Sequence, residues 1–150
     1  MMNLQKTIKL LNVAKAISEL SKDKSTKVGA IAIGPNGEIR AMGYNGFPRG
    51  FNDDIESRHE RPEKYIWTEH AERNLIYNAA RVGVPLNGCT LIVTPLFPCI
   101  DCARAIVQSG ITHIISDAKD NPRWIESNNQ AKELLTECNV TFSNIRQMQI

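Results

Sequence analysis

The sequence predicts an α/β protein, a three-layer α/β/α build around a mixed five-stranded sheet. Three observations carry that expectation. Short apolar runs alternate with amphipathic segments along the chain. The first two runs are joined by Pro35-Asn36-Gly37, a hairpin turn that makes them antiparallel. Each later run is separated from the next by a helical segment, which implies parallel pairing with helices on both faces.

The elements follow in order. Leu4, Ile8, Leu11, Ala14 and Ile17 recur at spacings of three or four, so residues 4–20 are expected to form a helix with one apolar face. KVGAIAIG (27–34) reads as a buried strand and EIRAMGYN (38–45) as its return. Residues 46–66 are polar and rich in turn formers, so a long functional loop is expected there. TEHAERNLIYNAARVGV (68–84) reads as a helix capped by Thr68 and ended by Gly83. A strand at 89–94, a helix at 99–110 stopped by Gly110, and a strand at 112–116 come next. A helix at 123–138 and a short strand over Val140-Thr141-Phe142 complete the order α-β-β-α-β-α-β-α-β.

The chain has 150 residues, 42% hydrophobic and 23% charged, which fits one domain over 1–150 with its own core. The formal net charge of +2, from 18 basic and 16 acidic side chains, argues against a nucleic-acid binder and leaves room for a small anionic substrate. No run approaches the roughly 18 apolar residues of a membrane span. Lysines interrupt the N-terminal stretch, so no signal peptide and no membrane association are expected. Asn139-Val140-Thr141 matches a glycosylation tripeptide, yet nothing else suggests secretion. Four cysteines are few for a secreted scaffold and suit a reducing, cytoplasmic setting.

Two of those cysteines, Cys99 and Cys102, form a Cys-x-x-Cys behind Pro98 at an expected helix start. A structural zinc site needs two more ligands, and Cys89 and Cys138 belong to no second paired motif. Those two read as packed side chains. A thioredoxin-like redox pair also places Cys-x-x-Cys at a helix start, but it leaves the rest of the chain unexplained. The remaining reading uses His70 and Glu72, at the start of another helix. His70, Cys99 and Cys102 would then be three zinc ligands with the fourth position left for water, the catalytic arrangement of that ion. His70-Ala71-Glu72 followed by Pro98-Cys99-Ile100-Asp101-Cys102 is the signature of zinc-dependent nucleobase deaminases, in which the glutamate moves protons and does not bind the metal.

At this point the chain resembles the cytidine deaminase superfamily, and within it the deoxycytidylate (dCMP) deaminases. The resemblance runs from about Leu11 to Cys138. It rests on SKDKSTKVGAIAI, GYNGFPRG, HAERN, YNAARVG, FPCIDCARAIVQSGI and Trp124. It implies a cytidine deaminase-like fold and hydrolysis of dCMP to dUMP and ammonia, which would supply dUMP for dTMP synthesis. Glu72 is the implied catalytic acid–base, and Zn2+ the implied cofactor. Asn45 would hydrogen-bond the sugar or base, and the Ala71 N–H would donate to O2 of the base. Lys22, Lys24 and Arg49 are the cations considered for the 5′-phosphate. The resemblance further implies a homo-oligomer, a hexamer, activated by dCTP and inhibited by dTTP. Arg81 aligns with a position tied to that response, and magnesium would arrive with the triphosphate. One departure is that Thr94-Pro95-Leu96-Phe97 is one residue longer than the usual spacing before Pro98. Rival readings are a deaminase acting on another cytosine or adenine substrate (nucleoside, tRNA or single-stranded DNA) and a non-enzymatic zinc module.

Overall fold

The computed structural model describes residues 2–148; Met1, Gln149 and Ile150, at the ends of the expected 1–150 domain, lie outside the described residues. Helix α1 (Leu4–Ser18) begins at Asn3, whose side-chain oxygen accepts the Lys6 N–H at 2.8 Å. Strands β1 (Gly29–Ile33) and β2 (Ile39–Tyr44) form the expected antiparallel hairpin. Helix α2 (Lys64–Trp67) is a single turn, and α3 (Ala71–Val82) follows it. Then come β3 (Thr90–Thr94), α4 (Ile100–Ser109), β4 (His113–Ser116), α5 (Ile125–Glu137) and β5 (Thr141–Asn144).

The five strands form one sheet in the order β2-β1-β3-β4-β5. Strands β3, β4 and β5 are mutually parallel, and β1 runs antiparallel to both of its neighbours. The central strands β1, β3 and β4 are mostly apolar and buried because both of their faces are covered, whereas the edge strands β2 and β5 are partly exposed. Their two-residue period still sorts them. Ala30, Ala32, Leu91, Val93 and Ile114 face the core shared with α3, α4 and α5, whereas Ile31, Ile33, Ile92 and Ile115 face α1. That is a three-layer α/β/α arrangement with one helix on one side and three on the other.

Two glycines let the helices come close to the sheet. A Cβ on Gly29 would fall 2.1 Å from the Ala14 carbonyl oxygen of α1. One on Gly43 would fall 2.4 Å from the Leu75 nitrogen and 2.5 Å from the Ala71 oxygen, both in α3. Gly83 closes α3 in the left-handed conformation (φ 76°), with the Val84 N–H bonded to the Ala79 carbonyl.

The structure differs from the sequence reading in three places, the first being that Cys89 is buried as expected but Cys138, at the end of α5, is exposed. The expected long loop 46–66 contains a 3-10 turn at Glu56–His59 and the beginning of α2. Its turn-forming composition hid both, because neither is long enough to show a period. Thr68 does not cap α3; the helix starts at Ala71 with His70 at the cap position. Glu69 is instead held in an antiparallel bridge with Gly46, which keeps the chain extended up to His70.

Candidate active site

The site lies where β3 ends, β1 begins and β2 ends, at the carboxyl edge of the parallel strands. Two helix starts meet there. His70 is the cap residue of α3, with φ −75° and ψ 154°, and its side chain caps no N–H. Its Nδ1 turns instead to the sulfurs of Cys99 and Cys102, at 3.4 Å from each. Cys99 is the cap residue of α4, and Cys102 is in the first turn of that helix. The first N–H of α4, on Ile100, is satisfied from outside by the Ser127 hydroxyl at 2.9 Å. Arg73 of α3 pairs with Glu69 and reaches Asp101 of α4 at 3.8 Å, which ties the two helix starts together.

His70, Cys99 and Cys102 place one donor atom each within 4.8 Å of one another. A tetrahedral zinc with Zn–S near 2.3 Å and Zn–N near 2.05 Å requires N···S edges of about 3.5 Å. The 3.4 Å separations meet that requirement, and a borderline-soft cation suits one imidazole with two thiols. The donor set therefore fits zinc.

Charge is distributed unevenly over the trio. Cys99 is drawn down to about 4, first by a hydrogen bond from Cys102, with His70 adding to it against the opposing effect of burial. Cys102 is pushed up by its hydrogen bond to Cys99 and by burial. Hydrogen bonding to Cys99 raises His70 above its ordinary value. Glu72, on the first turn of α3, is 4% exposed, and that burial raises its carboxyl above the usual range.

One cavity is lined by His70, Ala71, Glu72, Cys99 and Asn45 together, so five of the sequence-predicted residues share it. Leu96, Phe97 and Trp124 supply its apolar walls. The Trp124 ring stands edge-on to His70, with 6.3 Å between centroids. Phe97 is braced edge-on by Phe142. The 94–97 stretch thus contributes two walls. Asn45 is already engaged: its Oδ1 accepts the Val28 N–H at 2.8 Å and its Nδ2 donates to the Thr26 carbonyl at 2.9 Å. One Nδ2 hydrogen remains.

The structure does not bring Lys22, Lys24 or Arg49 to this cavity. Lys22 pairs with Asp53 at 2.8 Å in a neighbouring depression, Lys24 pairs with Glu56 at the surface, and Arg49 donates to Asn78. All three are engaged by these polar partners instead. Arg81 is exposed in the last turn of α3, where the helix dipole favours a cation. The cavity contains three other cations, Arg61, Lys64 and Arg123, and one further carboxylate, Asp23. Sequence reasoning missed these four. Arg61 and Lys64 lie in a charged, turn-rich segment, where composition does not show which way a side chain points. Arg123 precedes Trp124, and that adjacency was the available signal.

Comparison with known proteins agrees with this geometry. Residues 4–117 match the family model of the cytidine and deoxycytidylate deaminase zinc-binding region. A deoxycytidylate deaminase of Mus musculus is 36% identical over 135 residues, covering 87% of this chain and 74% of that protein. A probable deoxycytidylate deaminase of Caenorhabditis elegans is 36% identical over 115 residues, 75% of this chain but 57% of that protein's length. Against some relatives, therefore, the chain spans little more than half. Among solved structures, a dCMP deaminase from the cyanophage S-TIM5, in complex with dCMP and dUMP, superposes with a TM-score of 0.79 at 26% identity, over 96% of this chain and 99% of that one. With a matching family model across most of its length and the His70, Cys99 and Cys102 trio assembled beside Glu72, the chain belongs to the cytidine and deoxycytidylate deaminase family of zinc-binding proteins.

Proposed function

We propose that the chain hydrolyses dCMP to dUMP and ammonia. The observation that carries this reading is the position of Glu72, a buried carboxyl that shares a cavity with His70 and Cys99 of the ligand trio without being one of the trio. Zinc held by His70 Nδ1 and the sulfurs of Cys99 and Cys102 would supply Lewis acidity, lowering the pKa of water toward neutrality. Glu72 does the proton work. Its carboxylate takes a proton from water and passes it to N3 of cytosine, which makes C4 electrophilic. After the water oxygen adds to C4, Glu72 takes the proton left on that oxygen and delivers it to the amino nitrogen; the C4–N bond breaks, the C4 carbonyl forms and ammonia leaves. The carboxyl pKa, raised by burial, suits a group that must both hold and release a proton.

Ala71 is fully buried at the start of α3, and its N–H is directed, like the other first-turn donors, at a group not in the helix. It is assigned to O2 of the base. The remaining Nδ2 hydrogen of Asn45 is assigned to the sugar or base. Leu96, Phe97 and Trp124 exclude bulk water from the base. The mouse and cyanophage relatives, described as dCMP deaminases, support the choice of substrate.

Ammonia release from dCMP, CMP, dCTP and deoxycytidine tests the reading. Glu72→Gln is expected to keep zinc and to lose at least about 10²-fold in turnover. Full dCMP turnover by that variant refutes the assigned mechanism; reaction of deoxycytidine, CMP or dCTP with dCMP untouched refutes the substrate.

The family resemblance also supports a hexamer activated by dCTP and inhibited by dTTP through the surface that includes Arg81. Exposed Met42, Tyr44 and Tyr77 on β2 and α3 are apolar side chains of the kind that subunit contacts cover. Light scattering and effector titration of the ammonia-release rate test this. No helix among the described residues is long and apolar enough to cross a membrane. The four free thiols support the proposed cytoplasmic setting.

A further inference from the structure

The segment 47–68 leaves the body of the protein and returns to it at one point. The Gly46 N–H donates to the Glu69 carbonyl at 3.1 Å, and the Glu69 N–H to the Gly46 carbonyl at 2.9 Å. The two ends of the segment are thereby pinned together beside His70. Between them the chain packs on itself. The Phe51 and Trp67 rings lie 4.9 Å apart, the Arg58 guanidinium sits 4.0 Å from the Phe51 ring, and Phe47 packs on His59. None of these side chains joins either apolar core, and Lys64 is the one buried residue of 47–67. The backbone hydrogen bonds of 47–67 are internal to the segment among the described residues.

What holds the segment down is therefore ionic. Lys22, Asp23 and Lys24, three consecutive residues of the turn after α1, pair with Asp53, Lys64 and Glu56 respectively. Apart from these pairs, the segment has one side-chain hydrogen bond to the rest of the described chain, from Arg49 to Asn78. The outer two pairs are exposed, so each holds weakly and is screened by salt. The Asp23–Lys64 pair is buried, and opening returns both charges to water, which offsets the attraction that is lost. The segment is also a wall of the cavity. Arg61, Lys64 and Tyr65 come from it, whereas His70, Glu72 and Phe97 come from the body.

We infer that residues 47–68 form a lid over the site, hinged at the Gly46–Glu69 bridge and latched by the Lys22-Asp23-Lys24 turn, and that release of this latch admits the ligand. A self-packed segment with charged latches and no apolar anchor opens as a unit at low cost. Its closure removes bulk water from the cavity. The gating of substrate rests on the deaminase reading above; the latch rests on the geometry alone.

Chymotrypsin cleavage after Phe51, Tyr65 and Trp67 of the zinc-loaded protein, followed by mass spectrometry, reports the open population. Asp53→Asn/Glu56→Gln removes both outer pairs and alters no residue of the cavity wall. It is expected to speed those cuts roughly three- to tenfold, with cleavage elsewhere unchanged. Raising salt from about 0.01 to about 1 M shortens the screening length from about 30 to about 3 Å, and is expected to speed the same cuts in the wild type but not in this variant. Asp53→Lys is expected to act in the same direction, and Lys22→Asp/Asp53→Lys to return cleavage toward the wild-type rate. Stopped-flow binding of dUMP, read by the fluorescence of Trp67 and Trp124, is expected to level off with ligand concentration at the opening rate. That plateau is expected to rise in Asp53→Asn/Glu56→Gln. Equal cleavage of wild type and variant at low salt, no restoration by the charge exchange, or a dUMP rate that rises linearly without a plateau overturns the inference. If dUMP does not bind while cleavage follows the latch, the lid stands and the assigned substrate falls.

Discussion

Gly43→Ala adds one methyl group on β2, remote in sequence from the chemistry, and it is expected to damage the site. The new Cβ would fall 2.4 Å from the Leu75 nitrogen, 2.5 Å from the Ala71 oxygen and 2.9 Å from the Leu75 Cα. All three are backbone atoms, so no side chain can rotate away. Ordinary contact begins near 3.4 Å, so α3 must retreat from β2 by about 1 Å. That helix carries Ala71 and Glu72, and His70 caps it. Overpacking of this kind costs roughly 1–3 kcal/mol, or roughly 2–12 °C in Tm for a domain of this size. A 1 Å displacement of reacting groups costs roughly 10²-fold in rate. Two comparisons isolate the cause. Gly46→Ala meets nothing within 4 Å and is expected to behave as the wild type. Gly29→Ala collides with α1, on the opposite face of the sheet, and is expected to lower Tm while leaving zinc content intact. Thermal melts, zinc by mass spectrometry and ammonia release would be measured on all three. A Gly43→Ala protein with wild-type Tm and rate, or losses equal to those of Gly46→Ala, refutes the account of how β2 sets the position of α3.

The other expectations are simpler. Cys102→Ala removes one of three donors and is expected to abolish stoichiometric zinc, as is prolonged chelation of the wild type; metal analysis after dialysis checks both, and retained zinc in the variant contradicts the ligand assignment. Asp23 is subject to burial, which alone would raise its carboxyl pKa, but the Thr26 and Ser25 N–H groups and Lys64 hold it below the ordinary 3.8. A folded-state pKa below the unfolded one gives stability that is present above pH 3.8 and lost as pH falls through the lower folded value. Asp23→Asn therefore lacks this dependence, and its stability deficit against the wild type, read by urea titration, is expected to narrow below about pH 4. A deficit that is constant with pH excludes the ion pair as its source. Ser127→Ala leaves the Ile100 N–H of α4 without its 2.9 Å partner and is expected to cost about 1 kcal/mol in chemical denaturation. No change there means water replaces the hydroxyl.

Most of the site's chemistry was legible because it is written in local signals. His-x-Glu and Pro-Cys-x-x-Cys specify residue type, spacing and helix start at once, and the intervening 71–98 segment is just a helix and a strand. The mixed sheet was legible for the same reason, since a hairpin turn and alternating helices constrain strand direction. Asn45 was less so. The family resemblance implied that it hydrogen-bonds the sugar or base, and the structure shows that its amide ties the end of β2 to Thr26 and Val28.

The sequence by itself thus determined the fold class, the three donor residues and the carboxyl beside them, because each depends on periodicity or spacing within a few turns of chain. Only the tertiary structure decided which charges line the cavity. Lys22, Lys24, Arg49, Arg61, Lys64 and Arg123 are alike as residue types, and nothing local separates a cation neutralised at the surface from one turned into a cleft. That difference is set by the fold of the 46–66 segment against the turn at Asp23, and by the entry to α5 at Arg123 and Trp124. These are contacts between segments far apart in sequence, which local patterns do not encode.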